Sequence, residues 1–304
     1  MAGLKELRVR ISSIGSTKKI TSAMKMVAAA RLRKAQDLLT KSEGYYNGIK
    51  TIVGRLYNDI KREEKENGRK IAYPVVMQSR PVSENYVLVV FSSDRGLCGS
   101  YNSYVLRETL KRVDELKAQN KNVKVLCLGK KIADALKYRR PDVVGEVVTG
   151  LAAKGAKFKD AEQLIEPLVN EYMMGSFDVC EVIYTHFNSA INREVLTKQL
   201  IPFRLDFDLS DKRFDERFND AFFEYDTAEE KVFNDAVFML LVAEVFQMLL
   251  NSQASEQGAR MTSMDNATRN ATDMISKLTL KYNRLRQSAI TTELVEIISG
   301  AEAL

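Results

Sequence analysis

Ala271-Thr-Asp-Met-Ile275-Ser-Lys-Leu278-Thr-Leu-Lys-Tyr282-Asn-Arg-Leu285-Arg-Gln-Ser-Ala289-Ile-Thr-Thr292 is the stretch that decides the fold. Positions 271, 275, 278, 282, 285, 289 and 292 step alternately by four and three, the spacing of a seam that buries itself against a second helix. Upstream, Thr227-Ala-Glu-Glu230 has the form of a capping box, and downstream Ser299-Gly300 offers a stop. About 70 residues at about 1.5 Å each make a helix on the order of 100 Å long, which must leave any compact body. Gly258 falls inside it, at a cost of about 1 kcal/mol relative to alanine.

The partner is at the other end of the chain. Leu4, Leu7, Ile11 and Ile14 step by three, four and three, and the segment reads as helix from Leu4 to the late fifties. The register then meets Lys18, Thr21 and Lys25, while Ile20, Met24 and Val27 form a displaced stripe. It resumes at Ala28, Leu32, Ala35 and Leu39, so a local slip in the winding is expected, with Lys18, Lys19, Lys25, Arg31, Arg33 and Lys34 on the outside. All five prolines lie between Pro74 and Pro202, which leaves both flanks free to form uninterrupted helices.

Between the flanks, Tyr86–Phe91, Val123–Leu128, Val143–Val148 and Val179–Tyr184 read as buried strands, and Glu194–Leu200 as an edge strand. Helical stretches near 101–118, 130–138 and 160–173 separate them, the last opened by Asp160. This alternation implies a Rossmann-like α/β domain with a mostly parallel sheet. The expected organisation is an N-terminal coiled-coil helix (1–60), the central α/β domain (74–203), an acidic and aromatic connector (204–226) and a C-terminal coiled-coil helix (227–304). Because both helices join one domain, they should pair antiparallel, with the C-terminal helix overhanging from about Arg286.

Composition excludes several chemistries. The 304 residues carry a formal net charge of +6, spread unevenly. Residues 1–73 hold 17 Lys/Arg against 7 Asp/Glu, whereas residues 204–304 hold 11 against 18. Three scattered cysteines (Cys98, Cys127, Cys180) argue for reduced thiols and against a disulfide framework or zinc site. One histidine, His186, rules out a histidine metal cluster and reads as the end of a strand. The start has no signal-peptide apolar block, and Glu244 and Gln247 break the longest apolar run, so no transmembrane segment is expected.

Two glycine-bearing loops resemble phosphate cradles without matching one. Ser92–Asn102 follows the first central strand, but Gly96 and Gly99 do not make G-x-G-x-x-G and no Lys-Ser/Thr pair follows. Asp94, Gly96, Cys98 and Gly99 therefore read as a structural loop rather than a site, and Cys98 has no base beside it in sequence. In Gly150–Lys157, Ala156 separates Gly155 from Lys157 and Phe158 stands where a metal-binding hydroxyl would be needed. The acid-rich stretch Asp206–Asp235 is interleaved with phenylalanines, as in a contact surface. A nucleotide-binding α/β enzyme and a basic coiled-coil nucleic-acid binder remain as alternatives at this level. The basic helix lacks the aromatic interleaving of single-strand binders.

Four motifs together carry a resemblance. Lys19-Ile-Thr-Ser-Ala-Met24-Lys-Met-Val-Ala-Ala-Ala-Arg31-Leu-Arg-Lys34, Ser93-Asp-Arg-Gly-Leu-Cys-Gly99, Ala254-Ser-Glu-Gln-Gly-Ala-Arg260-Met and Arg286-Gln-Ser-Ala-Ile290-Thr-Thr-Glu293-Leu-Val-Glu-Ile-Ile-Ser-Gly300-Ala301 resemble the gamma subunit of F-type ATP synthases over the whole chain. The resemblance implies a non-catalytic central rotor without catalytic, cofactor or metal residues of its own. One copy would stand in each complex, its coiled coil inserted in the alpha/beta head. Its α/β domain would stand near the membrane ring of proteolipid subunits and bind the epsilon subunit, at the cytoplasmic face of a bacterial plasma membrane, with no nucleic-acid partner. It places Met24, Lys25, Arg286, Gln287, Thr291 and Glu293 where shaft and head touch. Phe223–Ala228 lacks the proline common before the last helix, and Ser100 replaces a frequent glycine.

Overall fold

A computed structural model describes residues 2–68, 72–151, 155–205 and 229–302. Helix α1 (Ala2–Asn67) leads to strand β1 (Asn85–Phe91), then α2 (Tyr101–Ala118), β2 (Asn122–Leu128), α3 (Lys130–Arg139), β3 (Val144–Val148), α4 (Phe158–Met173), β4 (Val179–Phe187), β5 (Arg193–Ile201) and α5 (Glu229–Glu302). The sheet order is β3-β2-β1-β4-β5. The first four strands run parallel and β5 returns antiparallel along β4. His186 is the penultimate residue of β4.

The strands shift by one to three residues from the sequence reading, and three helix boundaries differ for physical reasons. Helix α1 outruns the late fifties because nothing breaks it before Gly68, whose φ of +64° is the left-handed turn that ends helices. Helix α4 starts at Phe158, not Asp160. The Asp160 carboxylate reaches back from the third helical position to accept from the Lys157 amide at 2.8 Å. Helix α5 passes through Ser299 and Gly300 to Glu302, so that glycine is not a stop. Thr227 and Ala228 of the capping box and most of the 204–226 connector lie outside the described residues, as does part of Gly150–Lys157.

The sheet is apolar on both faces. Val87, Val89, Phe91, Leu126, Leu128 and Val182 pack against α4 and the two long helices, which contribute Val53, Leu56, Ile60, Phe233, Val237 and Leu241. Leu88, Val90, Val125, Cys127 and Ile183 pack against α2 and α3. Burial on both sides is why these strands read as continuous apolar runs rather than alternations. All three cysteines are free and buried, and desolvation pushes the Cys127 thiol up to about 11. One stretch of α5 is long and apolar enough by composition alone to cross a membrane. More than half of that stretch is buried inside the chain, where it serves as the core helix against sheet and α1.

The long helices pair antiparallel, and their cross-contacts fix the register. Ser42 accepts from Gln247, Lys25 bonds Asp265, Thr21 meets Thr268 and Arg8 lies over the Tyr282 ring. In every pair the two residue numbers sum to 289 or 290, so Ala2 faces about residue 288. From there to Glu302, α5 is a single helix, and residues 290–299 are exposed throughout.

The expected slip in α1 does not occur. Every third or fourth residue from Leu4 through Ile14, Lys18, Thr21, Lys25, Ala28, Leu32, Ala35 and Leu39 to Val53, Leu56 and Ile60 faces inward in one unbroken heptad. Polar residues fill the seam at 18, 21 and 25, and α5 offers partners to Thr21 and Lys25. Thr21 and Thr268 hydroxyls stand 2.8 Å apart, and the Lys25 ammonium is 2.5 Å from the Asp265 carboxylate. Lys18 and Lys25 are therefore seam residues, whereas Lys19, Arg31, Arg33 and Lys34 face out. Ile20 and Val27 are exposed, at 60% and 54%.

Gly258 sits where α5 passes closest to the β4–β5 loop. A Cβ there would stand 3.3 Å from the Ala190 Cα and 3.4 Å from the Phe187 ring. Close backbone approach is thus the return for its poor helix propensity. Gly258→Val should lower stability by about 1–3 kcal/mol in denaturant titration of the chain, through overpacking against backbone. Removing residues 291–304, by contrast, should leave the unfolding midpoint unchanged within error, because the exposed overhang buries no core.

Candidate functional site

In an open α/β sheet, ligands bind outside the carboxyl ends of the strands where the strand order reverses, here between β1 and β4. In this chain α5 occupies that crevice. Ser252 accepts from the Thr185 amide at 3.3 Å, Asn251 accepts from the Phe187 amide at 3.2 Å and Ser255 donates to the Thr185 carbonyl. Every residue from Met248 to Ala259 is buried. What is left is a cavity with about 20 Å³ of room for water, between Ser92, Asp94, Tyr101, Gly129 and Glu256. That holds about one water molecule and no nucleotide.

The Ser92–Ser100 loop closes this junction. Asp94 accepts from the amides of Lys130 at 3.1 Å and Gly150 at 3.0 Å, tying together the ends of β2 and β3. Ser93 is fully buried and bonds Asn102 and the Arg95 carbonyl. Cys98 is buried against Asn102, whose side-chain amide donates to Sγ at 3.1 Å, so it packs rather than reacts. Arg260 bonds Glu256 at 2.6 Å and donates to the Arg95 and Gly96 carbonyls. Burial pushes the Glu256 carboxyl above its ordinary range, against the pull of Arg260. Asp94, Gly96, Cys98 and Gly99 thus form the collar through which the shaft leaves the domain.

Met24 lies at this collar. With Val27, Ala28, Arg31, Gly96, Leu97 and other neighbours it lines a largely apolar groove of about 420 Å³ between α1 and the loop. Leu97 holds the left-handed backbone (φ +65°) that favours glycine, and yet is 62% exposed at the groove's rim. Gln257 also lines the groove, and its side-chain oxygen is buried without a hydrogen-bond partner among the described residues. Lys25 is half exposed beside Met24. Its hydrogen bond to Asp265, with Arg269 on the other side, holds that carboxyl below its ordinary range.

The structure does not bring the six expected contact residues together. Arg286, Gln287, Thr291 and Glu293 are exposed at the outer end of α5, and the Thr291 hydroxyl donates to the Gln287 carbonyl of its own helix. They stand between Arg286 and Glu293, about 30–40 Å along the axis of α5 beyond the Asp265 layer. Two stations result, a neck and a tip. Val27, Leu97 and Gln257 line the neck without having been marked as contact residues by the sequence. The signal was the second stripe, Ile20-Met24-Val27, which marks an outward apolar face rather than a slipped seam.

Comparison with known proteins bears directly on this geometry. The family model described as ATP synthase matches residues 3–304. An ATP synthase gamma chain from Rhodospirillum rubrum is 42% identical over 306 residues, covering all of both chains. Another from Paramagnetospirillum magneticum is 40% identical, again over the full length of both. The chain belongs to the ATP synthase gamma-chain family.

A central-stalk chain of the Tetrahymena thermophila mitochondrial ATP synthase superposes with TM-score 0.60 at 26% identity, covering 82% of this chain and 99% of that one. A chain of the Euglena gracilis enzyme, at 18% identity and TM-score 0.53, shares the fold over 90% of this chain and 95% of its own. As a gamma chain, the protein is the non-catalytic central-stalk rotor of an ATP synthase. The antiparallel rod is the part of this gamma chain built to carry torque. Asp94→Ala should cost about 1–3 kcal/mol in thermal or urea unfolding, because two amides at the collar lose their acceptor.

Proposed function

We propose that this rotor couples the membrane ring to the catalytic alpha/beta head through the neck and the tip. The observation that carries the reading is the asymmetric rod: two helices up to about residue 288 and one beyond it, with an apolar groove at the neck between α1 and the 95–97 loop. Rotation of such a shaft presents a different surface to each surrounding subunit at each angle. A conformational equilibrium shifts only by the difference in contact free energy between its states. An off-axis shaft supplies that difference to three catalytic sites in turn, and no bond is made or broken on this chain.

At the neck, Met24 and the groove would receive an apolar side chain of the head, with Lys25 and Arg31 beside acidic loops. At the tip, Ile290, Leu294, Val295, Ile297 and Ile298 are exposed. An apolar sleeve around them would act as a bearing, since non-directional contact varies little with angle. Arg286, Gln287, Thr291 and Glu293 would supply the directional contacts that catch at particular angles. In this reading segments 1–60 and 227–304 form the shaft, and 74–203 with the 204–226 connector forms the foot that meets the epsilon subunit and the ring. One copy works in each complex, peripheral at the cytoplasmic face of a bacterial inner membrane.

Met24→Lys in the assembled enzyme tests the neck, by placing a second ammonium beside Lys25 at the contact. Protons pumped per ATP hydrolysed by membrane vesicles should fall severalfold while hydrolysis persists. A wild-type ratio would remove Met24 from the interface.

A further inference from the structure

Among the described residues, two that are not glycine hold a left-handed backbone: Leu97 at φ +65° and Asn120 at φ +57°. Asn120 lies in the turn after α2, and asparagine visits this region because its short polar side chain can bond locally. A leucine has no such relief, since its Cβ crowds the following carbonyl oxygen. Packing inside the chain would be the ordinary compensation, yet Leu97 is 62% exposed. Gly96 and Gly99 flank the same turn, and Gly99 is itself left-handed, so the loop uses glycine where backbone freedom alone is wanted. Leu97 thus combines two unfavourable terms, a strained backbone and a large apolar side chain in water. Backbone outliers that the fold holds in place cluster where the conformation is used for binding.

The loop grips Leu97 from both sides in sequence. Before it, the Ser93 hydroxyl donates to the Arg95 carbonyl at 2.7 Å, and Arg260 of α5 donates to the Arg95 and Gly96 carbonyls. After it, Cys98 is buried beside the Asn102 side-chain amide. Because Arg260 belongs to the shaft, the leucine keeps one angular setting relative to α5. We propose that Leu97 is an apolar knob that enters an apolar recess of the alpha/beta head, a contact added at the groove's rim to that of Met24. Its height on the shaft points to the occupant. A Cβ on Gly99 would stand 3.8 Å from the Ser263 Cβ of α5, level with the neck where the rod leaves the domain. The assignment to the head rests on the reading above that the neck meets the head. Burying the knob is favourable only against a subunit whose recess is open, so it adds to the contact difference between the states of that subunit.

Leu97→Asn tests the knob, since asparagine accepts the left-handed backbone but offers no apolar side chain. The thermal midpoint of the chain alone should hold or rise. Protons pumped per ATP hydrolysed, by vesicles bearing the assembled enzyme, should fall severalfold. Leu97→Met, which keeps the apolar reach, should pump like the wild type. A photoreactive phenylalanine analogue at position 97 of the assembled enzyme should cross-link to an alpha or beta subunit. The proposal is overturned by a wild-type ratio in Leu97→Asn, or by a Leu97→Met that pumps as poorly as Leu97→Asn. A lowered midpoint in Leu97→Asn also overturns it, by making the leucine a packing residue. So does cross-linking only to epsilon or ring subunits, or to none. A wild-type ratio here beside a lowered ratio in Met24→Lys sinks the knob and spares the neck, whereas wild-type ratios in both remove the neck as well.

Discussion

The structure depends on α5 being enclosed on all sides between Met248 and Ala259. A helix that must later stand alone in water needs one segment clamped against every direction of load. Apolar burial supplies most of the cohesion, through Leu249, Leu250 and Ala254 against sheet, α4 and α1. Direction comes from the polar residues of the same turns: Asn251, Ser252 and Ser255 satisfy backbone groups at the end of β4, and Arg260 ties down the 95–96 carbonyls. Hydrophobic contact alone would let the helix turn about its axis, whereas these bonds specify one rotational setting.

The same clamp explains why an α/β sheet of nucleotide-binding type is no nucleotide enzyme here. The switch point between β1 and β4 exists, and a glycine-bearing loop follows β1, but the volume a ligand would need is taken by the protein's own helix. The loop residues then serve that helix. Asp94 ties neighbouring amides together, Arg95 and Gly96 offer carbonyls to Arg260, and Leu97 is pushed outward onto the face that α1 shares. A site for small molecules has become a socket.

Much of this was legible in the sequence. The seam from Ala271 to Ala289, the five strands and the overhang all follow from period and length, because packing against one partner imposes 3.5-residue spacing and burial on both faces imposes apolar runs. The polar seam at Lys18, Thr21 and Lys25 was read as a slip because local pattern cannot show that Asp265 and Thr268, some 240 residues away, complete it. Gly258 was legible only as a defect until Ala190 supplied its neighbour. The groove at the neck joins α1 to a loop 70 residues on, and no periodicity reports such an encounter. The tip residues were marked by family motif rather than by chemistry, since an exposed Gln or Thr on a helix has no distinguishing spacing.

The polar layer of Thr21, Lys25, Thr268 and Asp265 has a mechanical consequence. It lies just past the Thr262 hydroxyl, which donates to the Ala190 carbonyl and ties α5 to the domain. A beam held at one end flexes most where it emerges from its mount, and at that point these helices cling by ions and hydroxyls, half open to solvent, instead of by oil. Small ions weaken attraction between exposed charges within about 10 Å at 0.1 M. The compliance of the axle is therefore set in part by the electrolyte around it, stiffer in dilute solution and softer in brine.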